Sequence, residues 1–522
     1  MRSVVESARP AASVVRSAAA PALPPLDRTV LVLLCAAKLL IHLGTSVLRY
    51  GYFRDELYYL DMARHLDWGY VDAAPLVAVY GKVALLLGGS LAALRVLPAL
   101  AGTALVALAV LLAREVGGGR FAQLLAGLAV LLAPGILLVD SLLSMNAFEP
   151  LFWTGALLVL ARLLRTGNSR LWVWFGVLVG LGLENKLSTL FFGFAVAVAL
   201  LLVPERRELL RPWVWVSLAI ALALFLPNVI WQARHGFPTL EDLENVRREG
   251  KNVVLGPLAF VKQQVVAMHP ALLPVWLAGV AWFLKERRWR LLGFTFVAFF
   301  VVMGLAHAKD YYLFPIYPMA FAGGAVAIER WTSRRAAAWR RALATAVVVL
   351  GLATLPLCTW LLPPADYLAF TARLGFRQQK AEVHHEGLLP QPMGDQFGWE
   401  EMAREVAAIY RALPPDERVK TGILTGNYGE AGAINLWGPA LGLPRAFSRH
   451  QNHWYWGPPP ESPANLIVLQ WDRDDVQENC ASFEEHPRFV RYGMGEENTP
   501  IYLCRGTLFD LRKVWPNYHH WN

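Results

Sequence analysis

The sequence predicts an α-helical polytopic membrane protein of about eleven spans, counted at roughly 20 apolar residues per crossing, with a soluble α/β domain at its C-terminal end. Three observations carry that prediction. Hydrophobic residues make up 56% of the 522-residue chain and charged residues only 17%. Apolar runs recur through residues 29–362, and from Pro363 to Asn522 charged and polar residues return.

Residues 1–28 hold Arg2, Arg9, Arg16 and Arg28 but no apolar core of the kind a signal peptide needs, so they read as a disordered cytoplasmic tail. The spans that follow are predicted at Thr29–Leu48, Leu91–Ala113, Phe121–Val139, Asn146–Leu164, Leu171–Leu183 and Leu187–Val203. They continue at Trp213–Trp231, Ala271–Leu284, Leu291–Ala306, Tyr311–Ile328 and Ala342–Leu362. No internal repeat stands out, which disfavours a solenoid. Lysines and arginines recur after every second span, as in Arg114 with Arg120, Arg165 with Arg170, and the runs Lys285–Arg290 and Arg330–Arg341. Short loops rich in them stay in the cytoplasm, so the N-terminus is placed inside and residues 363–522 outside, at a plasma (inner) membrane. The net charge of +9 follows from this topology, and no nucleic-acid partner is implied.

Residues 49–89 are too long for a connector. A helix over Asp55–Leu66, a turn at Asp67-Trp68-Gly69-Tyr70 and a second helix over Pro75–Leu87 suggest juxtamembrane helices lying along the membrane surface. Asp55 and Glu56 open the first of them. Adjacent carboxylates at a membrane boundary are costly unless used, so both are candidate catalytic residues, Asp55 as general base and Glu56 as an orienting group. Acids that complement the dipole at a helix N-terminus are the bland alternative. Candidates for a second acid are Asp140, between spans three and four, and Glu149, one turn into span four.

Cations outside the inner loops seek an anion, and a phosphate at the membrane interface suits them. Candidates are Lys186, Arg247, Arg248, Lys251, Lys262, His307 and Lys309. Tyr311 and Tyr312 fit an interfacial aromatic belt. Lys38 and His42, four apart in span one, and Arg95 in span two line a polar cavity or pair with buried carboxylates. His384-His385 and His519-His520 lack accompanying ligand spacing, so metal binding there is disfavoured.

In the C-terminal segment a helix is predicted over Trp399–Ala412, with buried strands at Val419–Leu424 and Leu466–Gln470. Cys480 and Cys504 both lie here, and an oxidising exterior permits a disulfide between them; two buried thiols are the alternative.

Taken in order, several stretches resemble family 39 of the GT-C superfamily, the membrane glycosyltransferases that include protein O-mannosyltransferases and bacterial aminoarabinose transferases. They are Phe53-Arg54-Asp55-Glu56-Leu57-Tyr58-Tyr59, Asp67-Trp68-Gly69-Tyr70, Asn146-Ala147-Phe148-Glu149-Pro150-Leu151-Phe152-Trp153, Glu184-Asn185-Lys186 and His307-Ala308-Lys309-Asp310-Tyr311-Tyr312-Leu313-Phe314-Pro315. The resemblance spans about residues 29–360 and implies an inverting transfer of one sugar from a polyprenyl-phosphate donor on the extracytoplasmic face, with Asp55 catalytic. A lipid, a glycan or a protein could be the acceptor. No cofactor is called for, with a divalent metal left as an alternative. Two departures are plain: Asp72-Ala73-Ala74-Pro75 stands where many members have Asp-His-Pro-Pro, and Asn146 where many have an aspartate. The C-terminal motifs Asn427-Tyr428-Gly429-Glu430-Ala431-Gly432 and Asn452-His453-Trp454-Tyr455-Trp456-Gly457-Pro458 resemble a bacterial subset. A transporter and a cell-envelope scaffold are the competing readings. Acids at span ends and the appended domain favour the enzyme over a transporter, which would show repeats and broken helices at mid-membrane.

Overall fold

The computed structural model describes residues 22–251, 253–333, 337–376, 383, 387–493 and 498–522. Every predicted span has a helix at its place. The bundle comprises α1 (Arg28–Thr45), α2 (Arg54–Arg64), α3 (Leu76–Leu86), α4 (Leu91–Glu115), α5 (Arg120–Leu132), α6 (Pro134–Val139), α7 (Met145–Thr166), α8 (Trp172–Asn185) and α9 (Thr189–Leu201). It continues with α10 (Pro212–Arg234), α11 (Pro238–Arg248), α12 (Pro257–Ala267), α13 (Leu273–Lys285), α14 (Arg290–Leu305), α15 (Tyr317–Thr332) and α16 (Ala337–Cys358).

Among the described residues seven helices are long and apolar enough to cross a membrane, or up to nine if two sharply bent pairs each count as one span. The predicted count was higher because proline and polar breaks cut its apolar runs. Ala133 is extended before Pro134 and separates α5 from α6. Lys186 is likewise extended and separates α8, of 14 residues, from α9.

The start of the chain needs a correction. Residues 1–21 lie outside the described residues, but 22–28 are docked rather than a loose tail. The Asp27 side chain caps α1 by accepting from the Val30 amide at 3.0 Å, and Arg114 and Gln123 donate to the carbonyls of Pro24 and Pro25. At the same end of the bundle Glu329 accepts from the amides of Gly119, Phe121 and Ala122, an anion on the N-terminus of α5.

The C-terminal region adds α17 (Pro364–Arg373), a single turn α18 (Gln391–Gly394), α19 (Trp399–Ala412), a second turn α20 (Pro415–Arg418), α21 (Tyr428–Leu441) and α22 (Asn452–Tyr455). Strands β1 (Thr421–Thr425), β2 (Phe447–Ser448), β3 (Asn465–Val468), β4 (Cys480–His486) and β5 (Ile501–Thr507) form one sheet in the order β2-β1-β3-β5-β4. β1 pairs in parallel with β2 and β3, while β3–β5 and β4–β5 are antiparallel. Cys480 on β4 and Cys504 on β5 are joined in a disulfide across that edge.

The boundary between the two parts is not where composition changes. Leu57 of α2 is buried in the same cluster as Trp399, Met402, Ile423, Ile434 and Ile467, so α2 completes the core of the C-terminal domain. The approach is close because Gly432 faces α2, and a Cβ there would fall 2.8 Å from the Leu57 backbone. α2 is sandwiched between α3 and α21, with eight of its residues buried.

Candidate active site

Neighbouring side chains on a helix diverge by about 100°, and the adjacent acids at the start of α2 go separate ways. Glu56 turns into the bundle and is fully buried. It receives Nε and Nη2 of Arg95 at 3.2 and 3.0 Å, and the amides of Phe53 and Leu143, both at 2.9 Å. Arg95 also donates to the carbonyls of Gly51 and Ser46 and to Gln396. Glu56 is thus the centre of a buried node, and Arg95 makes the pair with a buried carboxylate that was one of its two readings.

Asp55 faces the C-terminal domain and is half-buried. Its Oδ1 accepts a hydrogen bond of 2.9 Å from the Tyr428 hydroxyl. The Tyr428 ring is clamped between Tyr58, with centroids 4.6 Å apart, and His450, 5.0 Å away. The Arg54 guanidinium lies 5.7 Å from the ring centroid. Burial, and secondly the Asp55 charge, push the Tyr428 phenol well above its ordinary pKa, so it stays a donor. Asp72, accepting from Tyr58 at 3.1 Å, is raised to about 7 by burial and then by the charge of Asp242.

Lys186 stands at the break between α8 and α9, where its extended backbone frees the side chain from a helical path. Its ammonium lies 2.7 Å from Asn146 Oδ1, 3.3 Å from Glu149 Oε2, and 4.1 and 5.0 Å from the ring centroids of Tyr312 and Tyr311. Such a cage holds a cation at a defined point. Tyr311 is within electrostatic reach of both Asp55 and Glu149. Glu149 also accepts from Ser188, so it helps to position Lys186. Asn146, at the family's usual aspartate position, serves the same lysine. Tyr311 and Tyr312, expected in an aromatic belt, are instead its cage.

The remaining candidates separate. Asp140 is paired with Lys38 at 2.8 Å, both fully buried, and His42 lies beside Ser141 at 3.3 Å. Lys38 thus makes the pair with a buried carboxylate that was one of its two readings, and Asp140 is that carboxylate. Gly102 makes room for the pair, since a Cβ there would sit 2.4 Å from Asp140 Oδ2. Arg247 and Arg248 are exposed in the last turn of α11, and Lys262 is exposed on α12. None of these three joins the Asp55 surroundings as a phosphate ligand. Lys251 does approach, contributing to a polar pocket with Arg54 and Tyr428. His307 is exposed with φ of 50°, and Lys309 precedes the 3₁₀ segment Asp310–Ile316 that carries the tyrosine cage.

Among the described residues no group of three His, Cys, Asp or Glu side chains could hold a metal ion. His384-His385 lie outside those residues; His519 approaches Glu241 at 3.1 Å. Trp454 and Trp456 face inward, the first bonded to the Trp515 carbonyl and the second stacked on His65. Sequence reasoning missed Tyr428. The signal lay in Asn427-Tyr428-Gly429-Glu430, a helix-capping pattern in which Asn427 accepts from Gly429 and Glu430 amides and the glycine lets Arg54 pack against it.

Comparison with known proteins fits this arrangement. Residues 72–231 match the family model described as dolichyl-phosphate-mannose-protein mannosyltransferase. The structure of ArnT from Cupriavidus metallidurans bound to undecaprenyl phosphate superposes with a TM-score of 0.60 at 16% identity, covering 91% of this chain and 98% of that one. The fold is that of the GT-C superfamily. The same ArnT in its apo state gives 0.56 at 15% identity, over 92% and 98% of the two chains. Lipid A galacturonosyltransferase RgtD from Rhizobium johnstonii is 28% identical to this chain over 197 residues, 37% of this chain and 41% of that relative. The matched stretch thus spans less than half of the curated relative's length.

Proposed function

We propose that the protein is an inverting glycosyltransferase that moves one sugar from a polyprenyl-phosphate-linked donor to an acceptor on the extracytoplasmic face. The observations that carry this reading are an Asp55 carboxylate held by Tyr428 and a lysine caged by Asn146, Glu149, Tyr311 and Tyr312, the Tyr311 ring lying within electrostatic reach of Asp55. In-line displacement at an anomeric carbon needs a base for the acceptor hydroxyl on one side and charge stabilisation of the departing phosphate on the other. Asp55 supplies the first. With Oδ1 fixed by the phenol, Oδ2 takes the acceptor proton as its oxygen bonds to the anomeric carbon and the carbon–phosphate oxygen bond breaks. Lys186 receives the charge that collects on the phosphate.

Two features support a lipid donor. A groove of about 440 Å³, lined almost wholly by apolar side chains of α8, α9 and α10, includes Leu183 and Thr189 in its lining, which flank Lys186 in sequence. The fold is shared with a protein crystallised with undecaprenyl phosphate. The distribution of cationic loops supports an active site outside the cytoplasm. The reading is tested with purified protein in lipid nanodiscs, a panel of radiolabelled undecaprenyl-phosphate sugars and membrane extract as acceptor. Transfer in the wild type that is lost in Asp55→Asn, with unchanged thermal stability, is expected. Donor consumption equal in both proteins would refute it.

A further inference from the structure

The polarity of α12 is reversed. Gln263 and Gln264 turn into the protein, where their Nε2 groups donate to Oδ2 and to the carbonyl oxygen of Asp310, both at 2.9 Å. Phe260 and Ala267 complete that buried face. The opposite arc, spaced at three and four residues, carries Leu258, Val261, Lys262 and Val266, all exposed, with Leu258 at 84%. A helix bathed in water turns its polar side outward. One that holds glutamines inside and an aliphatic stripe outside is built for apolar surroundings.

The direction of α12 names those surroundings. α13 packs lengthwise on α15, part of a helix long and apolar enough to cross the membrane, and a Cβ on Gly279 would lie 2.6 Å from the Gly324 nitrogen. α12 is bent by 93° from the segment Pro270–Lys285 that contains α13. It therefore runs in the plane of the membrane while α13 runs across it. The corner is made by Pro270 and by His269, which is buried at φ of 73° with its Nδ1 accepting from the Ala271 amide at 3.0 Å. A positive φ in a residue with a side chain costs energy and persists only where the surroundings enforce it. α12 also crosses the end of α14, whose Val297, Val301 and Leu305 form an exposed stripe at four-residue spacing. The Phe260 ring lies 5.9 Å from that of Phe300 in that helix. The exposed arc of α12 thus continues the lipid-facing surface of a span.

We infer that α12 is an interfacial helix seated in the leaflet beside the Lys186 cage. Leu258, Val261 and Val266 lie among the acyl chains, and the Lys262 ammonium reaches back to the headgroups. The seat bears on the cage as well. Asp310, held from α12 by both glutamines, accepts from the Tyr311 amide at 2.9 Å and opens the segment whose two tyrosines enclose Lys186. Lipid contact on one face of α12 therefore steadies the cage on its other face. This holds whatever reaction Asp55 performs.

The test uses the full chain in nanodiscs, with Cys35→Ala and Cys358→Ala removing the two free cysteines. Nitroxide labels are placed singly through Leu258→Cys, Val261→Cys and, as a reference on the C-terminal domain, Val419→Cys, 81% exposed. Collision with oxygen, which concentrates among acyl chains, is compared with collision with a water-soluble nickel chelate. Oxygen is expected to dominate at the two α12 positions and nickel at the reference. Nickel dominating on α12 would overturn the inference. Labels shielded from both reagents would overturn it too, by putting protein on that face, such as a second copy of this chain. The bearing on the cage is read by hydrogen exchange of the amides of residues 310–316 in wild type, in Leu258→Met and in Leu258→Asn with Val261→Asn. The paired asparagines are expected to speed exchange by about tenfold and methionine to leave it unchanged. Equal exchange in all three would remove the link to the cage, and the label depths stand even if the paired variant fails to fold.

Discussion

The adjacent acids of α2 are expected to fail in opposite ways, and Glu56→Ala is the sharper experiment. Removing this carboxylate leaves the Arg95 guanidinium 1% exposed with no counter-ion, and breaking a buried pair from one side costs about 3–5 kcal/mol. The Phe53 and Leu143 amides lose their acceptor as well, and an orphaned buried amide costs about 1–3 kcal/mol. These terms overlap, so about 4 kcal/mol is the working figure. Because membrane proteins commonly unfold irreversibly, the assay is the rate of thermal unfolding in nanodiscs followed by tryptophan fluorescence. If the node is half broken in the unfolding transition state, half of that figure accelerates unfolding by more than about tenfold. Asp55→Asn should unfold like the wild type and Glu56→Ala far faster. The double variant Glu56→Leu with Arg95→Met, which buries no charge, should recover much of the loss. A Glu56→Ala protein as durable as the wild type, or durable and catalytically dead, would refute the assignment of Glu56 to structure.

The other predictions can be checked with the same preparations. Asp55→Asn should lower transfer by about 10²–10⁴-fold, the usual contribution of a general base, as read by release of radiolabelled sugar. Tyr428→Phe, which keeps both ring stacks, should lower kcat by about tenfold with the donor KM unchanged, since a hydrogen bond to a charged group is worth about 1.5–3 kcal/mol; an unchanged kcat would dismiss the phenol as a positioning residue. Lys38→Met should destabilise by about 3–5 kcal/mol through the stranded Asp140 carboxylate, and adding Asp140→Leu should restore most of it in unfolding assays. Asp72 titrates at about 7 in the fold against an ordinary 3.8, so the folded state holds the proton more tightly and stability falls as pH rises across that interval. Melting temperature should therefore be lower at pH 8 than at pH 5, and Asp72→Asn should flatten that difference.

The positions of the spans were legible because burial in lipid demands long apolar runs, and these occupy fixed places in the sequence. Helix Trp399–Ala412 and the strands near Thr421 and Asn465 were legible for the same reason on a smaller scale, through periodic burial. Asp55 was legible as a costly charge at a span end and through its motif. What could not be read was which charges answer one another. Lys38 with Asp140, Glu56 with Arg95, and Lys186 with Asn146 and Glu149 are each separated by tens of residues, and no local pattern records their meeting.

Sequence alone thus determined the helical membrane class and the separate composition of the last part of the chain, and it singled out Asp55 as the acid proposed to act as base. Tertiary structure decided the rest. It spent Glu56 and Asp140 on buried ion pairs, turned the Tyr311-Tyr312 pair into a cage for Lys186, and brought Tyr428 to Asp55 across 373 positions. The physical reason is that apolar burial is additive and local in sequence, whereas the value of a charge inside a protein depends on the partner within a few ångströms, and only the folded chain chooses that partner.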